Sequence, residues 1–191
     1  MFNPEPEAVY PPGVIPMALD IPSLSTEFEG VQRPGHFAGV CRVVLKLFNL
    51  CEPRYACFGQ KDYQQLRVVE AMVQDLNLPI AIQRVATMRE DDGLAMSSRN
   101  RYLSQAVRRQ AGGLYKALTL AKRLIEVDGE TDAVIIERAM EQTLVAHKIK
   151  PDYCAVRHPD TLEAMDIVTP TVVALIAGRL DGVRLLDNLI I

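Results

Sequence analysis

The chain has 191 residues, enough for one domain or two small ones, and its 49% hydrophobic and 24% charged residues are close to the averages for soluble globular proteins. Its 21 Lys and Arg against 24 Asp and Glu give a formal net charge of −3, which argues against nucleic acid or an anionic membrane as the main partner. No apolar run reaches the ~18 residues of a membrane span, and the first residues lack the basic and apolar regions of a signal peptide, so we expect a cytoplasmic protein.

The cysteines and histidines show no metal-ligand spacing of the CxxC or HxxxH type. We therefore predict no metal site in the chain, and free, mostly buried thiols in a reducing compartment. The residues concerned are Cys41, Cys51, Cys57, Cys154, His36, His147 and His158.

Proline is frequent in residues 1–35, which excludes a long helix there, although 14–21 could form a short strand. An apolar stripe then predicts a helix from Gly39 that stops before Pro53, with Val40, Val43, Val44, Leu47 and Phe48 on one face.

A short apolar run over 55–58, ended by Gly59, predicts a buried strand. A helical stripe over 62–77 and a second strand over 79–87 follow it. Strand, helix and strand in this order form a βαβ unit, which predicts parallel strands with a right-handed crossover.

Beyond residue 88 the pattern changes to helices followed by strands. Ser104 is a candidate N-cap for a long helix that reaches Ile125, and Thr131 is a candidate cap for the next helix. Three strand-like runs follow at 153–157, 171–177 and 183–186. We therefore predict two domains, an α/β domain over 1–87 and a small α+β domain over 88–191.

The residues Gly59, Lys61 and Asp62 lie where the first predicted strand ends and a helix begins. In an open parallel sheet this is where ligands bind, and the free N–H groups of the helix start favour phosphate. Lys61 would add a cation, Asp62 could accept hydrogen bonds from ribose, and Gly59 lets a ligand approach the backbone. The alternative is a solvated Lys-Asp helix start, and no Walker A spacing is present.

A second polar segment contains Ser97, Ser98 and Arg99 in a loop that also contains Gly93. Serine hydroxyls donate to phosphate oxygens and arginine binds phosphate through two N–H groups, so this loop could surround the phosphates of a nucleotide. The alternative is a loop that caps the following helix.

His36, three residues after Arg33 at the start of the first long helix, could titrate or form hydrogen bonds near neutral pH. A structural cap is the alternative for His36. His147 and His158 are interpreted as ordinary surface or packing residues.

Three separated blocks, RPGHFAGV at 33–40, GQKDYQQL at 59–66 and DGLAMSSRNRYLS at 92–104, resemble the signature blocks of the pantothenate synthetase family in the same order. The resemblance extends from FNPEPEAVYPPG near the N-terminus to VRLLDN at 183–188, which is similar to the family's final strand.

The resemblance implies an ATP-dependent ligase. Family members adenylate the carboxylate of (R)-pantoate, and the amine of β-alanine then attacks the acyl-adenylate to give pantothenate and AMP. It also implies a Rossmann-like domain of the nucleotidyltransferase type followed by a smaller α+β domain over the site. We expect a homodimer that uses ATP with Mg²⁺ as a substrate complex and has no tightly bound cofactor.

The resemblance also implies roles for single residues. Lys61, Ser97, Ser98 and Arg99 would act catalytically on the ATP phosphates, and Gln65 would bind pantoate. The wider ATP site would comprise Gly59, Gln60, Lys61, Asp62, Met88, Met96, Ser97, Ser98 and Arg99, with Arg33 and His36 in support.

The chain departs from the family pattern at Gln60, Ala86 and Met88, where glutamate, proline and valine are more usual. We also expect a further N-terminal segment or chain, with the family's GxLHxGH turn, to complete the site. Without it, the sheet of the partial Rossmann-like domain is expected to expose apolar edges. The alternatives are another adenylate-forming enzyme of the nucleotidyltransferase superfamily, or a non-catalytic fragment or assembly module.

Overall fold

The structure, a computed structural model, describes residues 3–165, 167–169 and 171–191. Met1, Phe2, Asp166 and Pro170, which belong to the predicted domains 1–87 and 88–191, lie outside the described residues. The chain divides into two compact units, the first comprising the residues up to Phe58 with Gln64–Arg84, and the second Gly59–Tyr63 with Val85–Ile191. The motif around Lys61 therefore belongs to the second unit, and the domain boundary at residue 88 stays a prediction.

The proline-rich start of the first unit forms three single-turn helices, α1 (Pro6–Val9), α2 (Pro22–Ser25) and α3 (Glu29–Gln32). Both α1 and α2 begin at a proline, as expected where the N–H has no helical partner. The short strand predicted over 14–21 is wrong, since this segment pairs with no strand among the described residues. Pro16 cannot donate to a strand ladder, and its neighbours are exposed.

Helix α4 (His36–Cys51) confirms the predicted apolar stripe. It begins directly after Gly35, which has a left-handed φ of 76°, and it ends at Glu52, whose φ is 45°. The buried face consists of Phe37, Val40, Cys41 and Phe48.

Strands β1 (Tyr55–Gly59) and β2 (Ala81–Val85) form a parallel pair joined by a 3₁₀ turn and α5 (Tyr63–Asp75), which confirms the βαβ unit. The prediction that β1 is buried is wrong, because Tyr55 is 67% exposed. Among the described residues the sheet consists of β1 and β2, and no third strand pairs with either of them. Val85 at the end of β2 is also 45% exposed, and the expectation of uncovered apolar sheet edges stays a prediction.

Gln64 ties α5 to the proline-rich segment of the first unit. Its side-chain Nε2 donates to the carbonyls of Leu24 and Glu27 at 2.7 and 2.9 Å, and its Oε1 accepts from the N–H of Glu29 at 3.0 Å. Gln64 is 5% exposed, and these bonds satisfy a buried amide that would otherwise destabilise the fold.

The helices of the second unit are α6 (Gln105–Ala111), α7 (Gly113–Glu126) and α8 (Ala133–Ala146). The single long helix predicted after Ser104 is wrong, because the chain breaks at Gly112, where helical geometry is weakest. Ser104 lies at the N-cap of α6 but its side chain makes no capping bond.

Asp132, rather than the predicted Thr131, caps α8. Its Oδ1 accepts from the N–H groups of Val134 at 2.8 Å and Ile135 at 3.4 Å. The two residues are adjacent and both are good N-caps, and the carboxylate also complements the helix dipole.

Three antiparallel strands complete the second unit in the order β3 (Lys150–Arg157), β4 (Val173–Leu180) and β5 (Val183–Ile190), which confirms the three predicted runs. Helices α7 and α8 pack on this sheet around a common apolar core. The side chains that are almost fully enclosed there include Leu114, Leu118, Ile136, Met140, Leu144 and Ile176.

The four cysteines are free, as predicted. The prediction that they are mostly buried is wrong, because Cys51 and Cys57 are exposed and only Cys41 is fully buried. Burial raises the pKa of Cys154 to about 12, so its thiol stays protonated. Within the described ranges, no helix is long and apolar enough to cross a membrane.

Candidate phosphate-binding site

The Lys61 turn is a 3₁₀ turn of Gln60–Asp62 that joins β1 to α5. Lys61 is mostly enclosed, with 20% of its side chain exposed, and its Nζ lies 3.9 Å from Oδ1 of the more exposed Asp62. No described atom lies within 4 Å of the position a Cβ on Gly59 would occupy. A ligand therefore has room to approach the backbone beside the ammonium group.

A small hairpin precedes the serine segment. Arg89 and Ala95 form an antiparallel bridge, and the N–H of Met96 donates to the carbonyl of Met88 at 2.8 Å. The side chains of Met88 and Met96 are exposed, at 68% and 51%. Met88 and Met96 thus lie at the open end of the hairpin, with their side chains exposed to solvent.

Ser97 ends the hairpin and begins the 3₁₀ helix Ser98–Tyr102. Its Oγ accepts from the N–H of Arg99 at 3.2 Å, so Ser97 caps this short 3₁₀ helix, whereas the alternative interpretation was a cap of the following helix, which starts at Gln105. Asn100 Nδ2 donates to the carbonyl of Ala95 at 3.1 Å and closes the loop. Capping uses the oxygen of Ser97 as an acceptor, and the hydroxyl still has a proton to donate.

The two motifs meet in one cleft within the second unit. Lys61, Ser97 and Arg99 line it together with Leu94, Ala95, Asn100 and residues 184–186 of β5. Two cationic side chains and a hydroxyl beside backbone at a helix start have the chemistry to bind an anion such as phosphate. The accessible volume of the cleft is about 10 Å³, close to that of one water molecule, so the lining side chains have to move apart for phosphate to enter. The exposed Ser98 and Met96 flank the same segment without lining the cleft.

Strand β5 supports the cleft through hydrogen bonds to the Lys61 turn and to Arg89. The two polar residues that form these bonds were not included in the site prediction. Asn188 Nδ2 donates to the carbonyls of Gln60 and Lys61 at 2.9 and 2.8 Å. Asp187, 3% exposed, accepts two hydrogen bonds from Arg89 at 2.6 and 3.1 Å. Burial raises the pKa of the Asp187 carboxyl, while the hydrogen bonds from Arg89 act in the opposite direction. Two adjacent polar residues flanked by leucines in β5 are the sequence signal that could have drawn attention to them.

Gln65, Arg33 and His36 belong to the first unit. Gln65 is half-buried on α5, beside the structural Gln64. Nη1 of Arg33 lies 3.1 Å from Nε2 of His36, so these two candidates form a pair at the start of α4. Their roles toward a ligand stay predictions.

Asp92 is paired with Arg108 of α6, with N–O distances of 2.5 and 3.2 Å. The hydrogen bond from Arg108 lowers the pKa of Asp92. A carboxyl with a depressed pKa stabilises the fold above its unfolded pKa of about 4, and this contribution is lost as the pH falls through the folded pKa.

We therefore expect Asp92→Asn to lower the thermal unfolding midpoint at about pH 7 and to have less effect at about pH 3. The decrease should be small, because 45% of the Asp92 side chain is exposed and water screens the pair. Asp91→Asn is the control, since the described residues show no ion pair for Asp91. A difference between Asp92→Asn and wild type that grows toward low pH would contradict the assignment.

Gly93 lies at the hairpin turn with a φ of +87°, and a Cβ there would be 2.0 Å from Cδ1 of Tyr115. Gly93→Ala is expected to destabilise the fold by about 1–3 kcal/mol through overpacking and backbone strain. Gly129→Ala measures the loss of stability from backbone strain alone, because φ at Gly129 is +69° and no described atom lies within 4 Å of its Cβ position. Urea unfolding of both variants checks this, and equal losses would rule out the ring contact as a cause.

The described residues contain no group of three or more His, Cys, Asp or Glu side chains that could hold a metal ion.

Comparison with known proteins agrees with this chemistry. The chain matches the family model for Pantoate-beta-alanine ligase over residues 1–190. It is 44% identical over 191 residues to the pantothenate synthetase of Oleidesulfovibrio alaskensis, covering 99% of this chain and 67% of the relative. It is 43% identical over 192 residues to that of Moorella thermoacetica, covering 100% and 67%.

Solved structures give the same result. A crystal structure of pantothenate synthetase from Thermus thermophilus matches with a TM-score of 0.88 and 42% identity, covering 96% of this chain and 66% of that one. Pantoate-beta-alanine ligase from Francisella tularensis, complexed with β,γ-ATP and β-alanine, matches with a TM-score of 0.68 and 26% identity, covering 96% and 61%. The chain thus spans about two thirds of the length of the curated relatives it matches.

Proposed function

Because the chain belongs to the pantoate-beta-alanine ligase family, we propose that it supplies the phosphate-binding part of a site that condenses (R)-pantoate with β-alanine using ATP. The resemblance seen in the three sequence blocks is confirmed by the family match. Members of this family are ligases that form pantothenate in an ATP-dependent reaction. The observation that carries the proposal for this chain is the shared cleft of Lys61, Ser97 and Arg99.

The proposed first step forms a bond between the pantoate carboxylate and the α-phosphorus of ATP, and pyrophosphate leaves. A carboxylate is already ionised near neutral pH, so this attack needs no strong base. The protein has to align the reactants and neutralise the charge that moves onto pyrophosphate. Lys61, Arg99 and the serine hydroxyls have the charge and hydrogen-bonding capacity for this task.

In the proposed second step the unprotonated amine of β-alanine attacks the carbonyl carbon of pantoyl-adenylate, AMP leaves with the electron pair of the acyl–phosphate bond, and the nitrogen releases a proton to water. Gln65 is our candidate for holding pantoate, and Asp62 and the backbone near Gly59 are our candidates for ribose. Met88 is the candidate neighbour of adenine. These assignments rest on the family motifs, and the ATP and β-alanine bound to the Francisella tularensis relative support the choice of substrates.

We propose further that ATP enters as its Mg²⁺ complex and that the protein acts in the cytoplasm as a homodimer. The cationic cleft supports an incoming metal–phosphate complex, since phosphates can hold the ion themselves. The free thiols support a reducing compartment. Sedimentation-velocity ultracentrifugation tests the dimer.

The function is tested by product analysis in a reassembled enzyme. In this enzyme, the part of the Oleidesulfovibrio alaskensis relative that has no counterpart in this chain is joined to residues 1–191. We expect pantothenate and AMP in equal amounts, and only when pantoate, β-alanine and ATP are all present. Release of ADP, or adenylation that does not depend on pantoate, would favour a different adenylate-forming or phosphorylating enzyme.

A further inference from the structure

Asn188, near the end of β5, contacts the Lys61 turn directly. Its side chain is buried, with the residue 5% exposed. Both hydrogens of the amide are used, one on the carbonyl of Gln60 at 2.9 Å and one on the carbonyl of Lys61 at 2.8 Å. The contact joins residues that are 127 and 128 positions apart in the chain.

These two carbonyls are the ones that determine the direction of the Lys61 side chain. One belongs to the peptide plane before the Cα of Lys61 and the other to the plane after it. Because peptide planes are rigid, holding both of them fixes φ and ψ of Lys61, and with them the direction of its Cα–Cβ bond. The turn is a three-residue 3₁₀ helix that continues directly into α5, and its hydrogen bonds have poorer geometry than those of an α-helix, so the contact from Asn188 adds restraint.

Asn188 is itself held in place by the network that supports the serine segment. Its N–H donates to Oδ1 of Asp187 at 2.8 Å, and its carbonyl accepts from Nη2 of Arg89 at 3.1 Å. Arg89 also donates to the carbonyl of Gly93 at 3.0 Å. One buried network therefore reaches both the Lys61 turn and the hairpin that leads to Ser97.

We propose that Asn188 is a positioning residue for the phosphate-binding lysine: it sets the direction in which Lys61 enters the cleft, relative to Ser97. Asn188 does not line the cleft, so it acts through the backbone of the turn and makes no contact with the nucleotide. The proposal rests on the proposed phosphate-binding role of Lys61 and assigns a function to a buried polar residue of β5.

Asn188→Leu tests the proposal, because leucine has the same number and branching of side-chain heavy atoms, although it is larger, and it neither donates hydrogen bonds nor adds charge. Asn188→Gln keeps the amide and should recover part of the effect. Val156→Ala is the stability control, since Val156 is fully buried in β3 of the same sheet but is not part of the network. Two quantities are measured on the chain: amide hydrogen exchange in residues 60–63, and binding of a fluorescent ATP analogue, for which the absence of tryptophan gives a low background.

For Asn188→Leu we expect faster exchange in residues 60–63 and an increase in Kd of about 10- to 100-fold, the loss typical of a misplaced charge-assisted contact. Val156→Ala should lower the unfolding midpoint without changing either quantity. If Lys61→Ala weakens binding but Asn188→Leu does not, the positioning role is overturned while the proposed function stands. If Val156→Ala weakens binding as much as Asn188→Leu, the effect is general destabilisation and the proposal is overturned. If the wild-type chain shows no saturable binding, this inference is overturned, and product analysis in the reassembled enzyme decides the proposed function separately.

Discussion

Lys61→Ala in the reassembled enzyme is expected to lower pantoate-dependent ATP–pyrophosphate exchange by at least about 100-fold. Removing one preorganised group that stabilises transition-state charge typically costs this much. Lys61 is mostly enclosed in the cleft, where its charge is less screened than at the surface. The loss should appear mainly in kcat, because charge moves onto pyrophosphate as the reaction proceeds.

Two further variants test whether the loss of exchange activity comes from the position and shape of the Lys61 side chain. Lys61→Arg keeps the charge but changes the shape of the donor, so we expect an intermediate loss. Lys122→Ala is the matched control, since Lys122 is an exposed lysine of α7 that pairs with Glu126. Near-normal exchange by Lys61→Ala would remove Lys61 from the site.

Asp187→Ala is expected to destabilise the protein by about 3–5 kcal/mol, the cost typical of breaking a buried ion pair by removing one partner. Only 1% of the Asp187 side chain is exposed, and 19% of the Arg89 side chain. The substitution leaves the guanidinium of Arg89 largely enclosed without its carboxylate. Its remaining bonds to the carbonyls of Gly93 and Asn188 do not neutralise the charge.

Urea unfolding of wild type and Asp187→Ala measures this difference. Glu126→Ala is the control, because it breaks an exposed pair in α7 whose side chains are each 46% exposed and which should contribute at most about 0.5 kcal/mol. Equal losses in the two variants would show that the buried pair has no special role in stability.

Local sequence patterns predicted which helices and strands form better than they predicted where each one begins and ends. The apolar stripe of α4 and the three runs of the antiparallel sheet were visible because burial on one face repeats with the period of a helix or strand. The break at Gly112 was not visible, because a glycine costs a helix only ~1 kcal/mol and packing decides whether the helix continues. Asp132 and Thr131 are adjacent residues with similar capping ability, and geometry alone separates them.

The candidate site, like the fold, could be predicted from the sequence only in part. Lys61 and the segment 97–99 were predictable, because their residue types and order match family motifs. The exposure of Tyr55 and the partners of Arg89, Asp187 and Asn188 depend on which distant segments meet, and no local pattern shows which residues these partners are. The capping bond of Ser97 shows that a loop can cap a helical turn and still line a cleft.

The central claim is that Lys61 and Arg99 act on the same phosphates, and a double-mutant cycle in the reassembled enzyme tests it most directly. Exchange is measured for Lys61→Ala, Arg99→Ala and the double variant. Groups that act together on one transition state are strongly non-additive. We therefore predict that the loss in the double variant is at least about tenfold smaller than the product of the single losses. Losses that multiply in full, or a reassembled enzyme without pantoate-dependent exchange, would contradict the account.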